Sequence, residues 1–254
     1  MPRFGLFVIG DELLSGKRQD RHFPRVIDLL AARGLALGWA QFLGDDESRI
    51  ASAIAASRRE GDIVLSCGGI GATPDDLTRQ AAARAFDAPL ERHAEAASLI
   101  EQEYGERATP NRLLMADLPR GARLIPNPVN RVAGFSMDDH HFVPGFPDMA
   151  WPMLEWVLDT CYRGLHDAAP PVEFSLRVRG TAAESELLDV MNEVLRQHPE
   201  VRLSSLPFRG DAERPRHIEL AVKARHAHAS AAYASLKELL ENCEGVQIEQ
   251  LKTP

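Results

Sequence analysis

Cysteine is scarce in this chain: three residues in 254, Cys67, Cys161 and Cys243, far apart and without the short spacing of a metal site. An odd, sparse count excludes a disulfide scaffold and fits a reducing compartment. No apolar run reaches the ~18 residues that a membrane span needs. The opening MPRFGLFVIG is too short, and too soon interrupted at Gly10-Asp11-Glu12, for a signal peptide. A cytoplasmic location is the expectation. Positive charge is in deficit as well, with 29 Lys and Arg against 37 Asp and Glu, a net of −8. Duplex binding rests on neutralising phosphates with Lys and Arg, so neither nucleic acid nor a membrane is expected as partner. A small phosphate ester stays within reach, because backbone N–H groups and a divalent cation can hold one without net positive charge.

What is present reads as two α/β regions. Hydrophobic residues make up 44% and charged residues 26%, ordinary for a globular chain, and the length leaves room for two domains. Phe4–Ile9 is a continuous apolar run, as expected of a strand buried on both faces. Phe23, Val26, Ile27 and Leu30 follow at helical spacing, with Gly34 as the stop. Residues 36–43 read as a second strand, and Asp45-Asp46 open a helix carrying Ile50, Ile54 and Ala55. Residues 63–66 are a third buried strand, with a helix predicted from about Thr73 and another over 92–104. Later strands are expected at 124–125, 133–137 and 141–143, the last two joined by an Asp138-Asp139 turn, and a closing helix at 147–162. Ala168-Ala169-Pro170-Pro171 reads as a linker, giving domains over residues 1–167 and 172–254. Beyond it, a strand at 173–179, a capping box at Thr181-Ala182-Ala183-Glu184 and a stripe of Leu187, Leu188, Met191, Val194 and Leu195 come first. Strands at 201–208 and 217–223, a helix at 229–242 and a strand at 245–250 complete βαββαβ, the ferredoxin-like α+β order.

The chemistry concentrates where the third strand ends, at Gly68-Gly69-Ile70-Gly71-Ala72-Thr73-Pro74-Asp75-Asp76-Leu77-Thr78. Glycines after a buried strand let backbone approach a ligand, and a following helix start offers N–H groups and a positive dipole end to phosphate oxygens. A second reading needs no ligand: Thr73 as N-cap, Pro74 as first helical residue, and Asp75 and Asp76 complementing the helix dipole. It leaves three glycines in four positions unexplained. On the functional reading, Gly69→Val abolishes ligand binding with little unfolding. Two other strands end alike, at Gly10-Asp11-Glu12 with Ser15 and Gly16 behind, and at Gly44-Asp45-Asp46. Parallel neighbours would gather these acids at one sheet edge, where a hard cation would reconcile them with an anionic ligand. Asp45-Asp46 also reads as a helix cap, and Asp11-Glu12 as a solvated turn. Asn127-Pro128, Asn130 and Gly134, and Pro144-Gly145-Phe146-Pro147, are further candidates for ligand-facing turns. His140-His141 reads as a solvated hairpin tip, Cys67 as a packing residue, and the Arg and His residues of 214–228 as a solvated face.

The glycine-acid loop resembles the GGTGPTxDDxT signature of the molybdopterin-binding superfamily, and most closely its competence/damage-inducible protein A (CinA) branch. Gly10 to Gly16 is similar to the opening GDEIL-x-G of that branch, Gly44-Asp45-Asp46 to its G-D turn, residues 127–135 to NPxGTAPGF, and residues 144–149 to PGVPxEM. Five motifs in order cover about 150 residues. The resemblance implies a three-layer α/β/α, Rossmann-like first domain and a small KH-like second domain, though no GxxG clamp is present there. It implies divalent-metal-dependent hydrolysis of ADP-ribose-type pyrophosphates in the CinA branch, or adenylyl transfer to molybdopterin in cofactor biosynthesis. Carried over by position, Asp76, Asp75 and Asp45 match the family's acidic residues, expected to be catalytic, and Gly68, Gly69 and Gly71 its phosphate cradle; Thr73, Thr78, Ser15, Asn127, Gly134 and Gly145 are further residues expected to bind the phosphate-bearing ligand. Asp11, Asp75 and Asp76 are expected to hold Mg, Mn or Co, with molybdopterin as an alternative ligand, in a dimer or trimer of this chain. Ile70 stands for the usual Thr, Ala72 for Pro, and residues 129–132 for GTAP, which puts substrate or turnover in question and leaves a non-enzymatic pterin- or nucleotide-binding protein as a third reading. The deamidase domain of many CinA proteins is not expected.

Overall fold

A computed structural model describes residues 2–180 and 183–254. The chain falls into two compact units, Met1–Asp167 and Ala168–Pro254. In chain order the first holds β1 (Phe4–Ile9), the short α1 (Asp11–Leu14), α2 (His22–Ala31), β2 (Leu37–Leu43), α3 (Glu47–Glu60) and β3 (Ile63–Cys67). Next come α4 (Thr78–Ala85), β4 (Leu90–Arg92), α5 (Ala94–Tyr104), α6 (Pro110–Leu113) and β5 (Asp117–Pro119). It closes with β6 (Arg123–Ile125), β7 (Gly134–Met137), β8 (His140–Val143) and α7 (Pro147–Cys161).

Six strands form one sheet in the order β2-β1-β3-β8-β7-β6. The β2/β1, β1/β3 and β3/β8 pairs are parallel, while β7 runs antiparallel to both β8 and β6. Alternation along β1 explains its continuous apolar run. Phe7 and Ile9 join one core with Ile50, Ile54, Ala81 and Ile100 from α3, α4 and α5; Leu6 and Val8 join the other with Val26, Leu30, Leu154 and Val157 from α2 and α7. Both faces are covered, giving the three-layer α/β/α arrangement. The parallel strands β1, β2 and β3 all end on one edge, where open α/β sheets place ligands.

Three expectations are corrected. No helix starts at Thr73: α4 begins five residues later, and the cap reading of Thr73 to Asp76 falls with it. The buried face of α2 is His22, Val26, Leu29 and Leu30, leaving Phe23 and Ile27 at 39% and 41% exposure. His140 and His141, expected in solvent, are buried, because they belong to β8 in mid-sheet and not to the tip of its hairpin.

The second unit holds β9 (Val172–Gly180), α8 (Leu188–Gln197), β10 (Arg202–Phe208), β11 (His217–Ala224), α9 (His226–Glu241) and β12 (Val246–Lys252). Its sheet runs β10-β11-β9-β12, antiparallel throughout, the strand order of a ferredoxin-like βαββαβ unit. Leu187 and Val194 enter its core, but Leu188 and Leu195 of the expected stripe are exposed. The capping box predicted at Thr181-Ala182 lies outside the described residues; Glu186 Oε2 accepts the Ala183 N–H at 2.9 Å. His217, expected on a solvated face, is buried in β11.

Candidate functional site

The turn after β3 is held by its own side chains. Gly68 and Gly69 have φ of +109° and +69°, which L side chains rarely adopt, and a Cβ at either would overlap the Ile9 carbonyl or the Thr78 side chain. Thr78, fully buried, donates its hydroxyl to Gly68 O at 3.0 Å and its N–H to Gly69 O at 3.0 Å. Further on, Asp76 Oδ2 accepts both the N–H of Thr73, at 2.9 Å, and its hydroxyl, while Asp76 N–H donates to Thr73 O at 3.0 Å. This closed turn replaces the predicted helix start. It also shows why glycine is needed here: the protein's own atoms crowd these positions, so Gly69→Val is expected to cost stability, which corrects the expectation of little unfolding.

Arg79 grips the loop from below. It is only 4% exposed, and its guanidinium donates to Gly71 O at 2.6 Å, Asp117 O at 3.0 Å and Leu114 O. Burial lowers its proton affinity, and the charges of Asp117 and Asp76 oppose that shift. The carbonyls of Gly68, Gly69 and Gly71 are therefore engaged with protein donors. Among the described residues no hydrogen bond occupies the N–H groups of Gly69, Ile70, Gly71 or Ala72. A row of unengaged donors above a buried cation suits an anion.

These four residues line a cavity of about 510 Å³. Its lining includes the carboxylate residues Glu12, Asp45, Asp75 and Asp76, and the aromatic and apolar residues Tyr104, Met115, Val132 and Met149. Arg112 also lines it, its guanidinium 4.0 Å from the centroid of the Tyr104 ring. The ends of β1 and β2 are stapled by a reciprocal pair, Asp11 N–H to Asp45 Oδ2 at 2.9 Å and Asp45 N–H to Asp11 Oδ1 at 3.1 Å. Burial pushes the Asp45 carboxyl up, and the charges of Asp11, Glu12 and Asp75 push it the same way against the Asp11 N–H.

Of the residues singled out in the sequence, Gly68, Gly69, Gly71, Thr73, Gly145, Asp45, Asp75 and Asp76 line this cavity. Five others and Asp11 do not. Thr78 is buried beneath the loop, and Gly134 lies in β7 against Phe142 and Met153. Asn127 points inward, donating to Asn130 Oδ1 at 2.8 Å and Val132 O at 3.0 Å; Asn130 reaches the cavity instead. Ser15 follows α1 with its N–H on Asp11 O, and Asp11 uses Oδ1 in the staple. Asp46 caps α3 through the Arg49 N–H at 2.9 Å. Arg79, Tyr104, Arg112 and Met115 were missed. A lone Arg or Tyr on a helix carries no sequence signal that separates a site residue from a solvated one.

Among the described residues no three His, Cys, Asp or Glu side chains come together as a metal-binding group. The oxygen donors of Asp75 and Asp76 still suit a hard cation bound the way Mg²⁺ usually is, through one or two carboxylates, waters and the ligand's phosphates. Asp76 keeps Oδ1 unengaged for such a contact.

Fold and site together define a ligand-binding α/β domain with an anion-receptive glycine loop at the carboxyl edge of its parallel strands. The chain belongs to the family described as "probable molybdopterin binding domain", whose model matches residues 5–163. It is similar to a CinA-like protein of Citrifermentans bemidjiense, 39% identical over 60% of this chain and 39% of that one. A CinA-like protein of Gloeobacter violaceus is 30% identical over 91% of this chain and 54% of its own length. The chain thus spans about half or less of these two relatives. The crystal structure of CinA, of unknown function, from Thermoplasma acidophilum superposes with a TM-score of 0.57 at 27% identity, covering 62% of this chain and 97% of that one. No helix among the described residues is long and apolar enough to cross a membrane.

Proposed function

We propose that the first unit hydrolyses the diphosphate of an ADP-ribose-type nucleotide with the help of a divalent cation, Mg²⁺, Mn²⁺ or Co²⁺. The observation that carries this reading is the row of unengaged N–H groups from Gly69 to Ala72, set in one cavity with Asp45, Asp75 and Asp76. The N–H row, backed by the Arg79 charge, binds one phosphoryl group. Asp75 and Asp76 would hold the cation, which when bound neutralises the diphosphate and polarises its phosphoryl oxygens. Asp45, whose proton affinity is raised, takes the proton of the attacking water. The water oxygen bonds to phosphorus as the bridging P–O bond breaks, releasing AMP and a sugar phosphate. Tyr104, Met115 and Val132 in the cavity wall offer aromatic and apolar surface to the base.

That wall also favours a second reading, binding of a pterin ring as in molybdenum cofactor chemistry, with or without adenylyl transfer. One experiment separates the two. The protein is incubated with ADP-ribose and each cation, and AMP is followed by chromatography. AMP release is expected to fall at least about a hundredfold in Asp76→Ala, the order that one positioned acid or base contributes. No AMP with any cation, together with tight pterin binding, overturns hydrolysis in favour of the second reading.

A further inference from the structure

Two side chains outside the glycine loop bring unspent hydrogen-bond donors to the main cavity, Arg112 and Asn130. Arg112 lies on the short α6, two residues before Leu114. Arg79 holds both Leu114 O and Gly71 O with one guanidinium, so the segment that carries Arg112 is fastened directly to the loop. The Arg112 guanidinium rests on the Tyr104 ring and spends one nitrogen, Nη1, on Arg107 O at 2.8 Å. Among the described residues no hydrogen bond takes its Nε or Nη2, and no carboxylate pairs with it. Arg18, the other cation of the lining, stands 3.7 Å from Glu12. Asn130 is oriented from its oxygen: Oδ1 accepts from Asn127 Nδ2 at 2.8 Å and from the Val132 N–H at 3.1 Å. That settles which end of the amide is which and leaves the Nδ2 hydrogens without a partner among the described residues. The next residue, Arg131, pairs with Glu103 at 3.6 Å, so this turn and Arg112 meet the same end of α5, at Glu103 and Tyr104. Both side chains are half-buried, and their unpartnered nitrogens are not enclosed but keep accessible surface.

We infer that Arg112 and Asn130 form a second phosphoryl subsite, which takes the phosphate adjoining the one on the N–H row and makes the cavity selective for a diphosphate over a monophosphate. The inference rests on the reading of that row as the first phosphoryl site. A guanidinium only donates, and so does an amide whose oxygen is already committed. Two such groups side by side call for a partner that only accepts. An ionised phosphoryl group is one, and its charge answers a cation that no carboxylate neutralises. The four acids of the lining make the same demand from the other direction: without Arg112 the second phosphate would depend on the bound cation alone.

The test is calorimetric titration of the intact chain, in Mg²⁺, with AMP and with α,β-methylene-ADP, whose P–C–P bridge is not hydrolysed. Wild-type protein is expected to bind the methylene analogue at least about tenfold more tightly than AMP, the scale of one hydrogen bond to a charged group. Arg112→Gln is expected to erase most of that ratio while leaving AMP within about threefold. Asn130→Asp keeps the oxygen that Asn127 and Val132 use, sets a negative charge where the donors were, and is expected to lower the same ratio. Arg18→Gln, which removes the paired cation of the lining, is expected to leave it unchanged. Equal losses for both ligands in Arg112→Gln, an unchanged ratio in Arg112→Gln or Asn130→Asp, or an Arg18→Gln variant that lowers the ratio as far, overturn the subsite. Wild-type protein that binds AMP and the analogue equally well also overturns it, while the phosphoryl reading stands. Wild-type protein that binds neither overturns both.

Discussion

Two glycines with the same backbone angle separate conformational strain from crowding. Gly61, the C-cap of α3, and Gly69 both sit at φ +69°. A Cβ on Gly61 meets nothing within 4 Å; on Gly69 it runs into Thr78, whose hydroxyl is already committed to Gly68 O. Left-handed backbone costs a residue other than glycine roughly 1–2 kcal/mol. Gly61→Ala is expected to lose about that much in urea unfolding, and Gly69→Ala at least about twice as much, because the overlap adds to the same backbone cost. Equal losses would show that the loop yields without resistance, and that the glycine is kept there for the ligand alone. On the crowded reading, the loop is a rigid cradle before any ligand arrives, which spares the ligand the cost of ordering it.

At the scale of elements, the loop belongs to three of them at once. Arg79 projects from α4 and joins Gly71 to Leu114 and to Asp117 at the start of β5. Arg79→Met leaves three part-buried carbonyls without their donor and is expected to cost about 1–3 kcal/mol, with Arg79→Lys intermediate because one ammonium cannot span the three acceptors. A methionine variant as stable as the parent would mean that the carbonyls find water and that α4 does not brace the loop. The main strands of the first sheet were legible in the sequence, though not their order across it, because uninterrupted apolar runs such as Phe4–Ile9 have few alternatives to a doubly covered strand. The acids at the ends of β1, β2 and β3 were legible for the same reason, since parallel neighbours must bring those ends together. The start of α4 was not. Thr73-Pro74-Asp75-Asp76 has the composition of a helix cap, and only the tertiary bonds of Thr78 to Gly68 and Gly69 move the helix five residues on. Asn127 and Gly134 looked like ligand contacts because turn residues carry the same signature whether they face a cavity or, as here, brace their own chain. Arg79 and Arg112 gave no signal, since nothing local marks a side chain that a distant segment will engage.

On the scale of the whole chain, the two units should part company in mild acid. His140 and His141, both buried in β8, are pushed down by burial to about 4 and about 3. The bonding of His141 suits the neutral ring. Tyr162 donates to Asp139 at 2.8 Å, so it accepts from His141 Nε2–H, and His141 Nδ1 is left to accept from the Ser136 hydroxyl. Both histidines are depressed relative to the unfolded chain, near 6.5, so the unfolded state binds more protons below that pH. Their contribution is intact above about 6.5 and falls by about 1.4 kcal/mol per pH unit for each as the pH drops towards the folded values, or about 5 kcal/mol for the pair by pH 4.5. That is a large share of the ~5–15 kcal/mol typical of a domain. The second unit carries depressed carboxyls instead, Glu193 at about 2 through Arg196 and Gln197, and Glu219 below its usual range beside Arg177. Contributions of that kind persist above the unfolded carboxylate range, near 4.3, and vanish only below it. All three tryptophans, Trp39, Trp151 and Trp156, lie in the first unit, so fluorescence follows it alone, whereas far-ultraviolet circular dichroism follows both. Urea unfolding measured from pH 6.5 to 4.5 is expected to show the fluorescence midpoint falling steadily, while a second transition, seen only by dichroism, stays in place. If the two midpoints instead move together, the histidines of β8 are not what acid attacks first, or the units unfold as one.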